Sequence, residues 1–257
     1  MTTSPRIETA VWDLPTRLFH WSLVLLVGVN LFLIGPSGGL DTMIHFVAGY
    51  AVLGLLVFRL AWGFIGSPRS RFHDFVHRWP VVGAYLRRLV RFDPPHSVGH
   101  NPAGGWMVMA LLAILATMIA TGLLASGRHG AGPLAAFVPV AWTAIAGDLH
   151  ELVSNLLIGL VVVHVAGVVA EWLMTGDNLV RAMINGRKTL AADVAARERP
   201  VAPAWRAALV GLVAVALVGA LVAATDFTAN RASLTERQAA GPAPSAAIST
   251  TGGTEAD

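Results

Sequence analysis

The 257-residue chain contains no cysteine. Without thiols it can form no disulfide, no cysteine-held iron–sulfur cluster, no thiolate-ligated haem and no C-x-x-C-H attachment of a c-type haem. Charge is scarce as well: Asp, Glu, Lys and Arg make up 13% of the residues against 55% hydrophobic ones, and the mean hydropathy is +0.63. A soluble domain cannot hide that much apolar side chain, so a bilayer is the expected solvent. Lysine is nearly missing, Lys188 being the single one among 18 basic residues. The net charge of +3 and the pI of about 10.2 come from arginines flanking apolar runs, which argues against nucleic acid as a partner.

What remains is apolar and periodic. Five runs are long enough to cross about 30 Å of hydrocarbon, at roughly 18–34, 44–65, 106–124, 149–174 and 205–224. Asp13 and Pro15 make a helix start that extends the first run upstream. That run follows Trp12-Asp13 and precedes Gly35-Pro36 rather than a small-residue cleavage site, so it is expected to be retained. Arginines sort by loop. Arg6 and Arg17, then Arg69, Arg71, Arg78, Arg87, Arg88 and Arg91, then Arg181, Arg187, Lys188, Arg197 and Arg199 fall on one side, and the intervening loops hold only Arg128. The positive-inside rule then puts the amino terminus in the cytoplasm of a bacterial inner membrane and the carboxyl terminus in the periplasm.

Three further segments have a character of their own. In 72–92, apolar residues alternate with arginines at near-helical spacing, predicting an amphipathic helix on the inner leaflet, broken once at Pro80 and ended by Asp93-Pro94-Pro95. The loop before the fourth run is glycine-rich and then apolar from Pro133 to Trp142, which suits either a piece dipping back to cap a cofactor or an ordinary interfacial loop. The stretch 225–257, rich in Ala, Ser, Thr, Gly and Pro, is expected to be a disordered periplasmic tail.

Histidine carries the chemistry. His150 and His164 are fourteen residues apart in the fourth run, which is four helical turns less roughly 40°, so they share a face at two depths separated by roughly 21 Å. His20 opens the first run and His45 the second. If helices alternate in direction, His20 is level with His164 and His45 with His150. A low-spin haem iron takes two imidazoles when sulfur is absent, so the pattern predicts two bis-histidine haem b sites stacked across the membrane. A single histidine at a helix end would more simply sit wet among headgroups; four forming two level pairs ask for more. Arg17 lies one turn before His20, and Arg59 follows His45 by fourteen residues. Each is a candidate partner for haem propionates, Arg59 alternatively for a quinone pocket, and each could instead snorkel to the interface. His73 and His77 read as solvated, and His100 as a candidate proton donor to a quinone.

Val11-Trp12-Asp13-Leu14-Pro15-Thr16-Arg17-Leu18-Phe19-His20-Trp21, His45-Phe46-Val47-Ala48-Gly49-Tyr50, Phe58-Arg59-Leu60-Ala61-Trp62-Gly63, Gly99-His100-Asn101-Pro102-Ala103-Gly104-Gly105-Trp106 and His150-Glu151 with His164 resemble the bacterial cytochrome b561 family, which includes the b-type cytochrome subunits of nickel–iron hydrogenases. The likeness covers about 11–188. It implies an all-α membrane protein, a four-helix transmembrane bundle holding two haems, with His20 and His164 on the inner haem and His45 and His150 on the outer. The fifth helix at 205–224 and the tail depart from that pattern.

The resemblance also implies electron transfer between a quinone, as substrate, and a periplasmic partner such as a hydrogenase, a dehydrogenase or a cytochrome c. The chain would then be an electron-transfer subunit rather than an enzyme by itself. Nothing in the sequence opposes assembly into a homo-oligomer. Two other readings compete: a stand-alone quinol-dependent reductase of a small oxidant, and a haem-free transporter using histidines as a proton relay, for which Glu171 is the carboxylate nearest His164.

Overall fold

A computed structural model of the chain describes residues 5–32, 40–127, 130–195, 200–225 and 235–236; nearly all of the expected tail therefore lies outside the described residues. After a short strand β1 (Arg6–Ala10), the first apolar run becomes α1 (Leu14–Phe32). Asp13 sets its start, because Oδ1 accepts the Thr16 amide at 2.9 Å, and Pro15 in the first turn has no amide that needs a partner. The next helix, α2 (Leu40–Ile65), runs back antiparallel. Its Trp62 donates Nε1–H to Asp13 Oδ2 at 2.9 Å. Trp62 has no exposed surface and Asp13 only 6%, so one carboxylate closes both the cap of α1 and the last turns of α2 with charge-assisted hydrogen bonds.

The amphipathic segment is two helices, α3 (Phe72–Phe75) and α4 (Trp79–Val90). The break falls at 76–78 rather than at Pro80, which sits in the first turn of α4, where proline is tolerated. The corner is locked from the next span, α5 (Pro102–Leu124): Trp106 donates to the His77 carbonyl at 2.9 Å and stacks on Trp79 at 4.3 Å. Asn101 caps α5 by accepting the Gly104 amide at 2.6 Å.

A two-residue hairpin, β2 (Ser126–Gly127) with β3 (Gly130–Ala131), and one 3-10 turn at Ala135–Phe137 lead into α6 (Val140–Thr175). The start of the segment from Pro133 to Trp142 lines, with Gly130 and Gly132 before it, the same cavity as His45 and His150. Its start is hydrogen-bonded to the end of α5, Gly132 to the Ala125 carbonyl at 2.7 Å and Leu134 to Leu123 at 2.9 Å, and its end is already helix. Thr143, Gly147 and Asp148 make these turns too polar to register as a span while leaving them helix-competent. With 36 residues, α6 is about 54 Å long, well beyond what hydrocarbon requires.

Beyond α6 come α7 (Leu179–Asn185), closed by Gly186 in the left-handed region (φ 80°), then β4 (Arg187–Ala191), α8 (Ala192–Ala195) and α9 (Ala204–Ala224). Strand β4 pairs antiparallel with β1, Arg6 opposite Ala191, a small ribbon that the all-α expectation did not include. Apart from this ribbon and the β2–β3 pair, the described residues are mostly helical, and five of the described helices are long and apolar enough to cross a membrane. Four of them meet at Val52, Leu115 and Leu157, with Leu23, Val27, Met118 and Val161 around them. This is the centre of a bundle of α1, α2, α5 and α6, and α9 packs along α2. Leu25, Val47, Leu156, Leu173 and Leu212 point outward, as lipid-facing side chains should.

Asp13→Ala is expected to cost about 2–4 kcal/mol, since it removes a helix cap and strands the buried Trp62 N–H. Thermal unfolding in detergent should show a clear drop for this variant and a much smaller one for Asp13→Asn, which keeps an acceptor.

Candidate functional site

Two histidine clusters stand at opposite ends of the four-helix bundle, the second of them with buried arginine. At the first, the rings of His45 (α2) and His150 (α6) lie 6.0 Å apart between centroids, their planes 86° apart. They border a cavity of about 440 Å3, lined by residues of α1, α2, α5 and α6. Glycines flatten its walls: Gly49, Gly122, Gly127, Gly130, Gly132 and Gly147 all line it. Gly122 is required for the ring itself, because a Cβ there would come 2.9 Å from His150 Cε1. His150 Nδ1 lies 3.1 Å from the Met118 carbonyl and 3.1 Å from Thr121 Oγ1. A carbonyl only accepts, so Nδ1 carries the proton and Nε2 keeps its lone pair, the arrangement that metal-bound histidines use.

The second cluster gathers His20 (α1), His164 (α6), Arg59 (α2) and His100, just before α5. His20 and His164 lie within electrostatic range of each other, and His100 feels both of them together with Arg59 and Lys188. Arg59 is 2% exposed and sits over the rings of Phe72 at 5.0 Å and Phe75 at 5.8 Å. It therefore does not snorkel. Arg17 uses Nη1 on the Ile184 carbonyl at 2.9 Å, which ties it to α7 and leaves Nε free. Four enclosed nitrogens in this region have no hydrogen-bond partner: Arg17 Nε, His20 Nδ1, Arg59 Nη1 and His100 Nδ1. The two arginine nitrogens are donors, and unbonded buried donors are costly, so they point to an acceptor that is not part of the polypeptide.

Beside this cluster lies a knot that the sequence did not disclose. Glu171 (α6), 4% exposed, accepts from Tyr85 Oη of α4 and from Asn101 Nδ2 at 3.1 Å. Burial and the neighbouring Glu171 push the Tyr85 hydroxyl above its usual range. Glu171 follows His164 by seven residues, two turns less roughly 20°, so it continues the histidine face. That interval was a readable signal. Lys188 reaches the same region, donating to the Ser97 carbonyl at 2.9 Å, and burial lowers its affinity for a proton.

The donor sets suit iron porphyrin. A metal bonded to one nitrogen of each imidazole at about 2.0 Å separates the two centroids by roughly 6 Å, glycine-lined walls admit a flat macrocycle, and the unbonded nitrogens at the other end suit carboxylates. His45 with His150 would hold one such group, and His20 with His164 the other. His73 pairs with Asp74 at 3.3 Å, and His77 is bonded to the carbonyl of Phe75 at 2.8 Å, so each has a partner within the polypeptide. His129 and Arg128 fall outside the described residues.

Comparison with known proteins agrees with this chemistry. The family described as prokaryotic cytochrome b561 matches residues 11–186. A probable Ni/Fe-hydrogenase 1 B-type cytochrome subunit of Escherichia coli (strain K12) is 28% identical over 215 residues, covering 70% of this chain and 90% of that protein. A probable Ni/Fe-hydrogenase B-type cytochrome subunit of Bradyrhizobium diazoefficiens is 29% identical over 211 residues, covering 69% and 85%; the corresponding protein of Rhodobacter capsulatus is 21% identical over 220. No solved structure matches the chain.

The His100 site makes a prediction about pH. Burial first, then the charges of Arg59, His164, Lys188 and His20, lower its pKa from 6.5 to about 3. The unfolded chain therefore binds the proton first, and folding stability from this group is lost as pH falls from 6.5 towards 3. In thermal melts recorded across that window, the protein should lose stability more steeply than His100→Gln as the medium acidifies; parallel curves would contradict the assignment.

Proposed function

The chain belongs to the prokaryotic cytochrome b561 family, and from that membership we propose that it is a dihaem membrane cytochrome carrying electrons between the quinone pool and a periplasmic redox partner. The observation that carries the proposal is the meeting of the His45 and His150 rings at 6.0 Å beside a glycine-lined cavity. The relatives' names point to a hydrogenase as the kind of partner. The arginine distribution supports an amino terminus in the cytoplasm, which puts the His45–His150 site near the periplasm and the His20–His164 site near the cytoplasm. The dihaem domain would comprise 11–188, with α9 and the tail as additions.

When bound, each haem b supplies a one-electron iron couple. The polypeptide does the rest. His45 and His150 hold the outer group, and the Met118 carbonyl fixes the His150 ring through Nδ1. His20 and His164 hold the inner group. Arg59, held over Phe72, and the free Nε of Arg17 neutralise its propionates. The fourteen-residue interval from His150 to His164 sets roughly 21 Å of rise between the two levels.

His164→Ala should remove the inner haem and leave the outer one, so reduced-minus-oxidised spectra of purified protein should retain about half of the b-type absorbance. Full retention in a folded variant would refute the pairing.

A further inference from the structure

Glu171 is buried, but a line of polar groups connects it to water. Residues 96–101 run past the end of α6 and the turn after it, and two contacts tie the segments together. Asn101 Nδ2 donates to Glu171 Oε2 at 3.1 Å, and Tyr85 Oη donates to the same carboxylate. Five residues before Asn101, His96 Nδ1 lies 3.3 Å from Asp177 Oδ2. Between these two contacts Lys188, from β4, donates Nζ–H to the Ser97 carbonyl at 2.9 Å and comes within 3.8 Å of Asp177 Oδ2. Exposure falls along the series: the His96 side chain is 65% exposed, that of Asp177 25% and that of Lys188 7%, and Glu171 as a whole 4%.

The choice of lysine at this junction is informative, because every other basic residue of the chain is arginine. A guanidinium keeps its charge at any working pH, whereas a buried ammonium can give its proton up, and its flexible four-carbon stem lets Nζ move between acceptors. An ion pair kept only for its charge would be served equally by arginine. The charged and titratable groups acting on Lys188 are Asp177, Glu171 and Arg69, and His100 in turn feels the charge of Lys188. Burial lowers the proton affinity of Lys188, the two carboxylates raise it and Arg69 lowers it.

We propose that Lys188 is a proton carrier, taking protons from His96 and Asp177 at the arginine-rich surface and handing them to Glu171 beside the second histidine cluster. The proposal rests on the quinone reading above and adds how the protons of that reaction travel. Reducing a quinone to its quinol consumes two electrons and two protons, and a one-electron iron couple carries no proton. Each handover moves one proton and no electron. The Lys188 ammonium loses it to the Glu171 carboxylate, which leaves a neutral amine and a carboxylic acid, and the amine is reprotonated from water through His96 and Asp177. Oxidation of a quinol runs the same steps in reverse.

The test follows the full-length haem-loaded protein in phosphatidylcholine nanodiscs, pre-reduced and then mixed in stopped flow with a short-chain ubiquinone over a range of pH. Lys188→Met and Lys188→Arg should both slow haem oxidation at least about 10-fold, with the gap widening as pH rises and bulk protons become scarcer. A pH-indicator dye read in the same mixing should show proton uptake delayed to the same extent. Oxidation by ferricyanide, which takes up no proton, should keep its wild-type rate, and formic acid, a small mobile proton donor, should restore the quinone rate in Lys188→Met. Haem absorbance checks that each variant is folded; should both Lys188 variants fail that check, Asp177→Asn, nearer the surface, decides alone by the same criteria. A wild-type protein that the quinone does not oxidise would overturn the quinone reading and the carrier with it. Wild-type rates in Lys188→Arg, or equal slowing with ferricyanide, would overturn the carrier and spare the quinone reading.

Discussion

An imidazole placed in hydrocarbon must have its polar atoms satisfied, and the architecture follows from meeting that demand in pairs. In lipid there is no water to take up an unbonded nitrogen. The chain answers by directing histidines inward from different helices, His45 against His150 at one end and His20 with His164 at the other. The helix period makes this economical: an interval of fourteen residues returns a side chain to nearly the same face, so α6 serves both levels.

The surrounding polar contacts hold those helices in register. Asp13 binds the start of α1 to the end of α2 through Thr16 and Trp62, and Glu171 binds α6 to α4 and to the cap of α5 through Tyr85 and Asn101. Both carboxylates lie at the arginine-rich end of the bundle, Asp13 with partners on two of the long helices and Glu171 with partners on the short α4 and in the turn before α5. At the other end glycine does the equivalent work, Gly122 letting the His150 ring lie against α5. Donor nitrogens left unbonded, on Arg17 and Arg59, mark where polypeptide satisfies polypeptide no further and a cofactor's carboxylates are the natural complement.

The spans were legible because a run of some twenty apolar residues has few other fates, and the histidine levels were legible because they depend only on helix rise. Tertiary details were not. The start of α6 at Val140 is hidden by Thr143, Gly147 and Asp148, which lower local hydropathy without opposing a helix. The break at 76–78 is set by Trp106 reaching the His77 carbonyl, a contact from a distant helix, whereas Pro80, the obvious local signal, marks only a first turn. The β1–β4 ribbon joins two segments that flank the family-matched region on either side and is too short to leave a periodic trace. Arg59 could be weighed as a snorkelling or an inward residue from sequence, and only the rings of Phe72 and Phe75 beneath it separate the two.

The central claim is that four histidines hold two iron porphyrins in each chain. Haem quantitation by pyridine haemochrome, joined with low-temperature EPR of the oxidised purified protein, addresses it most directly. The account requires two haem b per polypeptide, both low-spin with imidazole on each axial face. A protein that is folded and membrane-inserted yet carries one haem, none, or iron in a high-spin state would contradict it.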